Sequence, residues 1–335
     1  MKRRLFSAAN GVFALSGIIL FAFVVRSVGL AVIWQNILAV RWAFLAVLAI
    51  SAIWYILYAE GWRLFLKDSQ DHIGLLDLFR IKIIGEAINT LTPVNFIGGD
   101  PLRIYLLKKH GVPVAEGAAS VVVDRTVHIL ASMIILLFGL TITFLNVDRF
   151  ASNVRYGIPA VAIATILFII FILIHQRRGF FGPLMTLCKK LRIKKEFSEK
   201  TIAKFVELDS HIADFYNSNH RGFLLCLGYN LAGRILGIIE IYVVGHAVVV
   251  NFTWYAAIVL CTLAPVVNTI FTFIPGAIGV MEGAFSGVSY LLGFDPATGM
   301  TIQIIKRIRS FAWVGVGLIF LGFQGTRKVL EEDVI

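Results

Sequence analysis

Ionisable side chains are scarce in the apolar stretches of this chain, and those that occur form two groups. Glu86, Asp100, Arg103, Asp124 and Arg125 stand in the first half; Arg234, Glu240, Glu282, Lys306, Arg307 and Arg309 stand in the second. A guanidinium is a planar, bidentate donor suited to phosphate, so arginines at membrane depth fit an anionic lipid head group, with carboxylates as resting partners. Such charges are costly and count as functional candidates by default. The same acid–arginine pairs would also serve as structural locks between neighbouring helices. Pro and Gly cluster beside them, in Asn89-Thr-Leu-Thr-Pro93-Val-Asn-Phe-Ile-Gly98-Gly99-Asp100 and in Asn268-Thr-Ile-Phe-Thr-Phe-Ile-Pro275-Gly276-Ala-Ile-Gly279-Val-Met-Glu282. Broken backbone at membrane depth frees N–H and C=O groups that a cavity or a ligand must satisfy, and helix N-termini add a positive dipole end. The candidate residues for lipid binding and transport are therefore Glu86, Asn89, Pro93, Gly98, Gly99, Asp100, Arg103, Arg125, Asn268, Pro275, Gly276, Glu282, Arg307 and Arg309.

The two regions resemble each other. Setting Asp100 against Glu282 aligns Pro93 with Pro275, Gly111 with Gly293, Ala115 with Ala297, Gly117 with Gly299 and Arg125 with Arg307, without a gap. The acids thus stand at one common separation from their arginines, which predicts the resting pairs Asp100–Arg125 and Glu282–Arg307.

The elements that must position these residues follow from composition. Of 335 residues 58% are apolar or aromatic and only 15% are charged, and the mean hydropathy is +0.84. Soluble domains carry about 25% charged residues, so a soluble enzyme, a disordered tail, a disulfide scaffold and a coiled coil are excluded, and a polytopic membrane protein is expected. Apolar runs of about 20 residues can span a bilayer. They occur at about 11–33, 42–62, 118–145, 155–175, 222–250 and 300–324, and the regions 75–110 and 253–293 are broken by Pro and Gly. The cluster Lys2-Arg3-Arg4, the basic stretch 176–221 and Arg327-Lys328 place both termini in the cytoplasm by the positive-inside rule. The expected fold is all-α: six spans plus two re-entrant helical hairpins entering from opposite faces, or about eight transmembrane segments. Residues 1–335 form a single membrane domain, with a first repeat at 1–150 and an inverted second repeat at 151–335. Inverted repeats with broken helices are a recurring transporter design. The linker 176–221 reads as a cytoplasmic amphipathic helix, through Phe197, Ile202, Phe205, Val206, Leu208, Ile212 and Phe215.

Other chemistry is thin. The excess of basic residues sits in short loops between apolar runs, which argues against nucleic acid as a partner. Cys188, Cys226 and Cys261 have no metal or disulfide spacing, and the seven histidines show no ligand pairing. There is no nucleophile elbow, Walker loop or zinc-protease motif, so no cofactor and no enzyme activity are expected. Glu60, Arg63 and Lys67 read as interfacial anchors, as do several Trp residues.

At these motifs a family resemblance emerges. Glu86-Ala-Ile-Asn89-Thr-Leu-Thr-Pro93, Gly98-Gly99-Asp100-Pro-Leu-Arg103, Glu116 and Asp124-Arg125 resemble the flippase-like transmembrane family, the membrane region of lysylphosphatidylglycerol synthases. Pro275-Gly276-Ala-Ile-Gly279-Val-Met-Glu282-Gly283 is similar to that family's second signature, and Asp100 stands where Glu is as often expected. The resemblance implies lipid translocation. Two-part members add a soluble aminoacyl-transfer domain, whereas this chain ends at Ile335, so lysine transfer is not expected. Stand-alone members include proteins associated with hopanoid synthesis, which makes an isoprenoid-derived lipid a cargo alongside anionic lipids. Three functions follow: a flippase or lipid carrier of the bacterial cytoplasmic (inner) membrane; a membrane-embedded transferase acting on a lipid-linked substrate; or a non-transporting accessory protein of a lipid-synthesis enzyme. The partners would be membrane lipids, lipid-synthesis enzymes and further copies of the chain in an oligomer.

Overall fold

A computed structural model describes residues 38, 40–66, 69, 73–92, 98–146, 152–178, 206–210, 212–213, 215–216, 220–270 and 279–332. Every described element is a helix, and the chain is an all-α polytopic membrane protein. The helices are α1 (Ala43–Arg63), α2 (Leu75–Leu91), α3 (Gly99–Lys109), α4 (Val114–Leu145), α5 (Ser152–Arg178), α6 (His220–Val248), α7 (Trp254–Ile270), α8 (Val280–Leu291) and α9 (Pro296–Glu332). Ala43–Arg63, Val114–Leu145, Gly157–Ile174 and His220–Val248 are long and apolar enough to cross a membrane. They coincide with four of the runs expected from hydropathy. The run at 11–33 lies outside the described residues, and the run at 300–324 lies within α9.

The two halves share one order of helix lengths. α1 to α4 have 21, 17, 11 and 32 residues, and α6 to α9 have 29, 17, 12 and 37. The reason is legible in the residues that stop and restart the chain. α2 ends just before Pro93, whose ring cannot continue a helix. Two residues beyond the ends of both α3 and α8 stands a glycine with positive φ, +90° at Gly111 and +85° at Gly293. In both, the amide three residues past the helix donates back to it: Val112 N–H to the Leu107 carbonyl at 3.2 Å, and Phe294 N–H to the Ser289 carbonyl at 2.9 Å. Only a residue without Cβ takes that turn cheaply, and the turn satisfies otherwise orphaned carbonyls. A proline then opens each following helix, Pro113 before α4 and Pro296 within α9.

The chain divides into two compact units, each drawing on both halves: residues 1–52, 80–103 and 237–335 form the first, and residues 53–79 and 104–236 the second. Within the first unit, α9 is the organising helix. Gly299 lies so close to α8 that a Cβ there would overlap the Phe285 carbonyl. Trp313 donates its indole N–H to Ser51 Oγ on α1 at 2.8 Å. Val314 packs with Ala87 and Leu91 of α2, and Gly317 brings the two backbones together against Ile83 and Ala87. Small residues permit this approach, as expected between helices in a membrane.

In the second unit, Trp62 of α1 donates to Ser120 Oγ of α4 at 3.2 Å, and Ser69 donates to the buried Glu116 at 2.8 Å. The expected amphipathic linker is described only over its last part. There Ile212, Phe215 and Tyr216 are buried, with Phe215 edge-on to Phe65 at 4.2 Å between ring centroids, while Val206 is exposed. Burial, with a smaller effect from the Cys226 thiol, pushes the Tyr216 phenol well above its ordinary range, so it stays protonated.

Candidate functional site

The first unit gathers three acid–arginine pairs. The first is built inside the α2–α3 hairpin. α3 folds back on α2 so tightly that a Cβ on Gly99 would overlap the carbonyl of Gly85. Gly85 in turn leaves room for the stem of Arg103, which lies where a larger side chain would project. Arg103 is fully buried; its Nη2 donates to Glu86 Oε1 at 2.7 Å, and its Nη1 lies 3.6 Å from Asp100 Oδ1. Asn89 joins the cluster from α2: its Oδ1 accepts the Gly99 N–H at 2.8 Å, and its Nδ2 reaches Asp100 at 3.4 Å. Asn89 thereby caps the N-terminus of α3 from the facing helix, the orphan-donor role usually filled by a residue of the same chain turn.

The second pair joins α8 to α9. Glu282 Oε1 accepts from Arg307 Nε at 2.7 Å and also from its Nη2. Its other oxygen accepts the Gly279 N–H at 2.7 Å, capping α8 where Gly279 adopts φ +82°. One carboxylate thus holds an arginine and a helix N-terminus together. The third pair is Arg309 of α9 with the buried Glu240 of α6, 2.9 Å apart. Lys306 lies over the Phe285 ring, 4.9 Å from its centroid.

Of the residues expected from sequence, Glu86, Asn89, Gly98, Gly99, Asp100 and Arg103 meet in the first hairpin, and Glu282, Arg307 and Arg309 are anchored on or against α9. The expected Glu282–Arg307 pair is present. Asp100 has Arg103, three residues along its own helix, as an ion-pair partner, and Arg125 lies in α4. Asn268 lies in α7; Pro93, Pro275 and Gly276 lie outside the described residues.

Sequence reasoning missed two features. Glu240–Arg309 joins helices distant in sequence, with no motif to mark it. The other is a polar chain in the middle of the second unit. His128 of α4 contacts Arg234 and Asn230 of α6, with His128 Nε2 2.7 Å from Arg234 Nη2 and His128 Nδ1 3.0 Å from Asn230 Oδ1. Asn230 Nδ2 donates on to the Cys226 carbonyl at 3.0 Å.

A family profile described as "Lysylphosphatidylglycerol synthase TM region" matches residues 9–318. A UPF0104 membrane protein of Pyrococcus horikoshii is 21% identical over 306 residues, covering 88% of this chain and 90% of its own. A UPF0104 membrane protein of Methanothermobacter thermautotrophicus is 20% identical over 287 residues, covering 82% and 84%. No solved structure matches the chain at a significant level.

Proposed function

The chain belongs to the lysylphosphatidylglycerol synthase TM-region family, and on that premise we propose that it is a flippase or carrier of membrane lipid. Its cargo is an anionic or isoprenoid-derived lipid moving between leaflets along a polar path in the first unit. The observation that carries this reading is the Glu282–Arg307 pair at the start of α8. A phosphate is a bidentate acceptor like the carboxylate it would displace. While Arg307 turns to a head group, the Gly279 amide still satisfies Glu282. The pair can therefore open without stranding a charge, which a purely structural pair does not need. Arg309, Lys306, and the partly exposed Glu86 of the first hairpin supply further polar lining, with Asn268 and the Pro93 and Pro275-Gly276 breaks as expected contributors from sequence. The family match supports a role tied to membrane lipid, and an arginine that can exchange its carboxylate for a head group favours transport over synthesis.

The test is reconstitution into liposomes carrying fluorescent lipids, followed by quenching of the outer leaflet. Translocation above empty liposomes is expected. It should fail in Glu282→Gln/Arg307→Gln even where the double variant keeps its melting temperature. Full activity in the folded double variant would leave the pair a structural lock.

The membrane arrangement is part of the proposal: re-entrant hairpins at α2–α3 and α7–α8 entering from opposite faces of a cytoplasmic membrane, with both termini in the cytoplasm. Single cysteines at positions 70 and 112 should label from the cytoplasm, and those at 251 and 295 from outside. Labelling of 70 and 112 from opposite faces would sink the hairpin arrangement. Lipid-synthesis enzymes and further copies of the chain are the proposed partners, to be sought by crosslinking in native membrane.

A further inference from the structure

Four arginines of the described helices stand among apolar residues with their partners identified, and one of them differs from the rest. Arg103, Arg307 and Arg309 each face a carboxylate. Arg234 sits near the centre of the spanning helix α6, where its Nη2 bonds a histidine, its Nε is buried with no hydrogen-bond partner, and no carboxylate lies at ion-pair distance among the described residues. A guanidinium can only donate. His128 Nε2 must therefore accept, so the imidazole is neutral with its proton on Nδ1. The Asn230 contact agrees: its amide donates to the Cys226 carbonyl, which leaves its oxygen to receive the Nδ1 proton. Donation runs one way, from Arg234 through His128 and Asn230 to the backbone.

The cage around this chain is tight. Asn230 is fully buried, Tyr58 of α1 meets His128 edge-on with centroids 5.0 Å apart, and Gly233 leaves the space that the Tyr58 phenol fills. Among the titratable or charged groups, Tyr58 from α1 and Arg234 from α6 contact His128, Asp124 and Arg125 stand one turn before it on α4, and Cys226 lies behind Asn230. A membrane-embedded cation is ordinarily paired, and here the protein supplies a neutral acceptor in place of a counter-charge.

We propose that Arg234 is the charged half of an anion site in the second unit, in which His128 takes up a proton as a phosphate-class anion docks on the guanidinium. Protonated at Nε2, His128 would no longer accept from Arg234 and would place a second cation beside it. The released donors of Arg234 and the new imidazolium together match an anionic oxygen pair. An anion bound first would favour the proton by the same factor, since the coupling is reciprocal. This site stands apart from the Glu282–Arg307 pair and does not depend on lipid being moved.

The experiment uses the full chain in phosphatidylcholine nanodiscs. Two probes, inorganic phosphate and short-chain phosphatidylglycerol, are titrated by calorimetry in two buffers of different ionisation enthalpy, which counts protons taken up on binding. Binding with proton uptake is expected, with affinity rising on the order of tenfold between about pH 8 and about pH 5.5, a coupling within the usual allosteric range. His128→Gln keeps one acceptor and one donor but cannot titrate, so it should bind without proton uptake. Arg234→Gln should lose at least tenfold in affinity. Response to phosphatidylglycerol alone assigns the site to a lipid head group; equal response to both probes assigns it to a small anion. Unchanged binding in folded Arg234→Gln overturns the site. Binding to the wild type without proton uptake overturns the coupling, and needs no variant to fold.

Discussion

The two hairpins are built on one plan, but five aligned positions, taken on into the helix that follows each hairpin, differ in net charge. α2–α3 holds Glu86, Asp100 and Arg103, with Asp124 and Arg125 following on α4; the aligned residues of α7–α8 and α9 are Asn268, Glu282, Phe285, Lys306 and Arg307. The first set sums to one negative charge and the second to one positive. The difference lies in where the arginine comes from. In the first hairpin Arg103 is internal and fully buried between two acids, fixed by the close approach of Gly85 and Gly99. In the second, a fully buried Phe285 takes the aligned position, and Glu282 reaches outward to Arg307 of α9. An internal, doubly paired arginine is a lock. An arginine borrowed from a neighbouring helix, beside an extra lysine, is under the proposed function a latch that an anion would lift.

The sharpest way to break this distinction is to remove each arginine in turn. Arg103→Gln would take from Glu86 and Asp100 the cation they share, a loss of about 3–5 kcal/mol for a buried pair. Arg307→Gln should cost less, about 1–3 kcal/mol, because Glu282 keeps the Gly279 amide. Lipid translocation should respond in the other order, failing in Arg307→Gln while a stabilised Arg103→Gln protein retains part of it. Melting temperature and liposome translocation measured together decide the matter; equal stability losses would show that both arginines are locks.

The next effect tests what the hairpins share. Gly99 and Gly299 each press on a carbonyl of a neighbouring helix, Gly85 and Phe285 respectively. Neither contact can be relieved by rotating a side chain. Gly99→Ala and Gly299→Ala should each destabilise by about 1–3 kcal/mol or more, read as a fall in melting temperature. Gly315→Ala, on α9 with open space around it, is the control and should melt with the wild type. A wild-type melting temperature for either of the first two would mean the helices are not so closely packed.

Much of this was readable in the sequence, and the exceptions have a common cause. Hydropathy marked the spans because burial in lipid demands long apolar runs, and Pro and Gly marked the breaks because they alter the backbone itself. The common separation of acid and arginine led to Glu282–Arg307. The same reasoning overlooked Arg103 as a partner for Asp100, although three residues along one helix is a spacing that brings side chains together. Glu240–Arg309 and His128–Arg234 were beyond reach, since a partner on another helix depends on rotation and crossing that no local pattern encodes. Asn89 stands out in the sequence as a polar residue near a break; its use as a cap across the hairpin is visible only in the fold.

The caps offer a smaller comparison. α3 is capped from outside by Asn89 and α8 from within by Glu282. Asn89→Ala removes the acceptor of the Gly99 amide, and loss of a cap costs about 1 kcal/mol. Because Asn89 also touches Asp100, amide exchange should quicken at the start of α3 and leave α8 unchanged. Quickening at both starts would show that the hairpins open as one body.

The smallest expected effect bears most directly on the charge difference. Lys306 aligns with Asp124, so the two halves carry opposite charges at one register. The ammonium of Lys306 rests over Phe285, a contact worth about 0.5–1 kcal/mol where water has access. Lys306→Gln removes both that contact and one positive charge beside Arg307, while the Glu282–Arg307 hydrogen bonds stay in place. Stability should therefore fall by less than about 1 kcal/mol, and affinity for an anionic lipid should drop severalfold as the local field weakens. Zwitterionic lipid binding should not change, because a net charge is what Lys306 contributes. The comparison is made by titrating short-chain phosphatidylglycerol and phosphatidylcholine into both proteins at low and high salt. Salt should narrow the gap between wild type and variant for the anionic lipid alone. An equal loss for both lipids would mean that Lys306 acts through the shape of the α8–α9 contact, and its positive charge on α9 would then have no part in selecting the cargo.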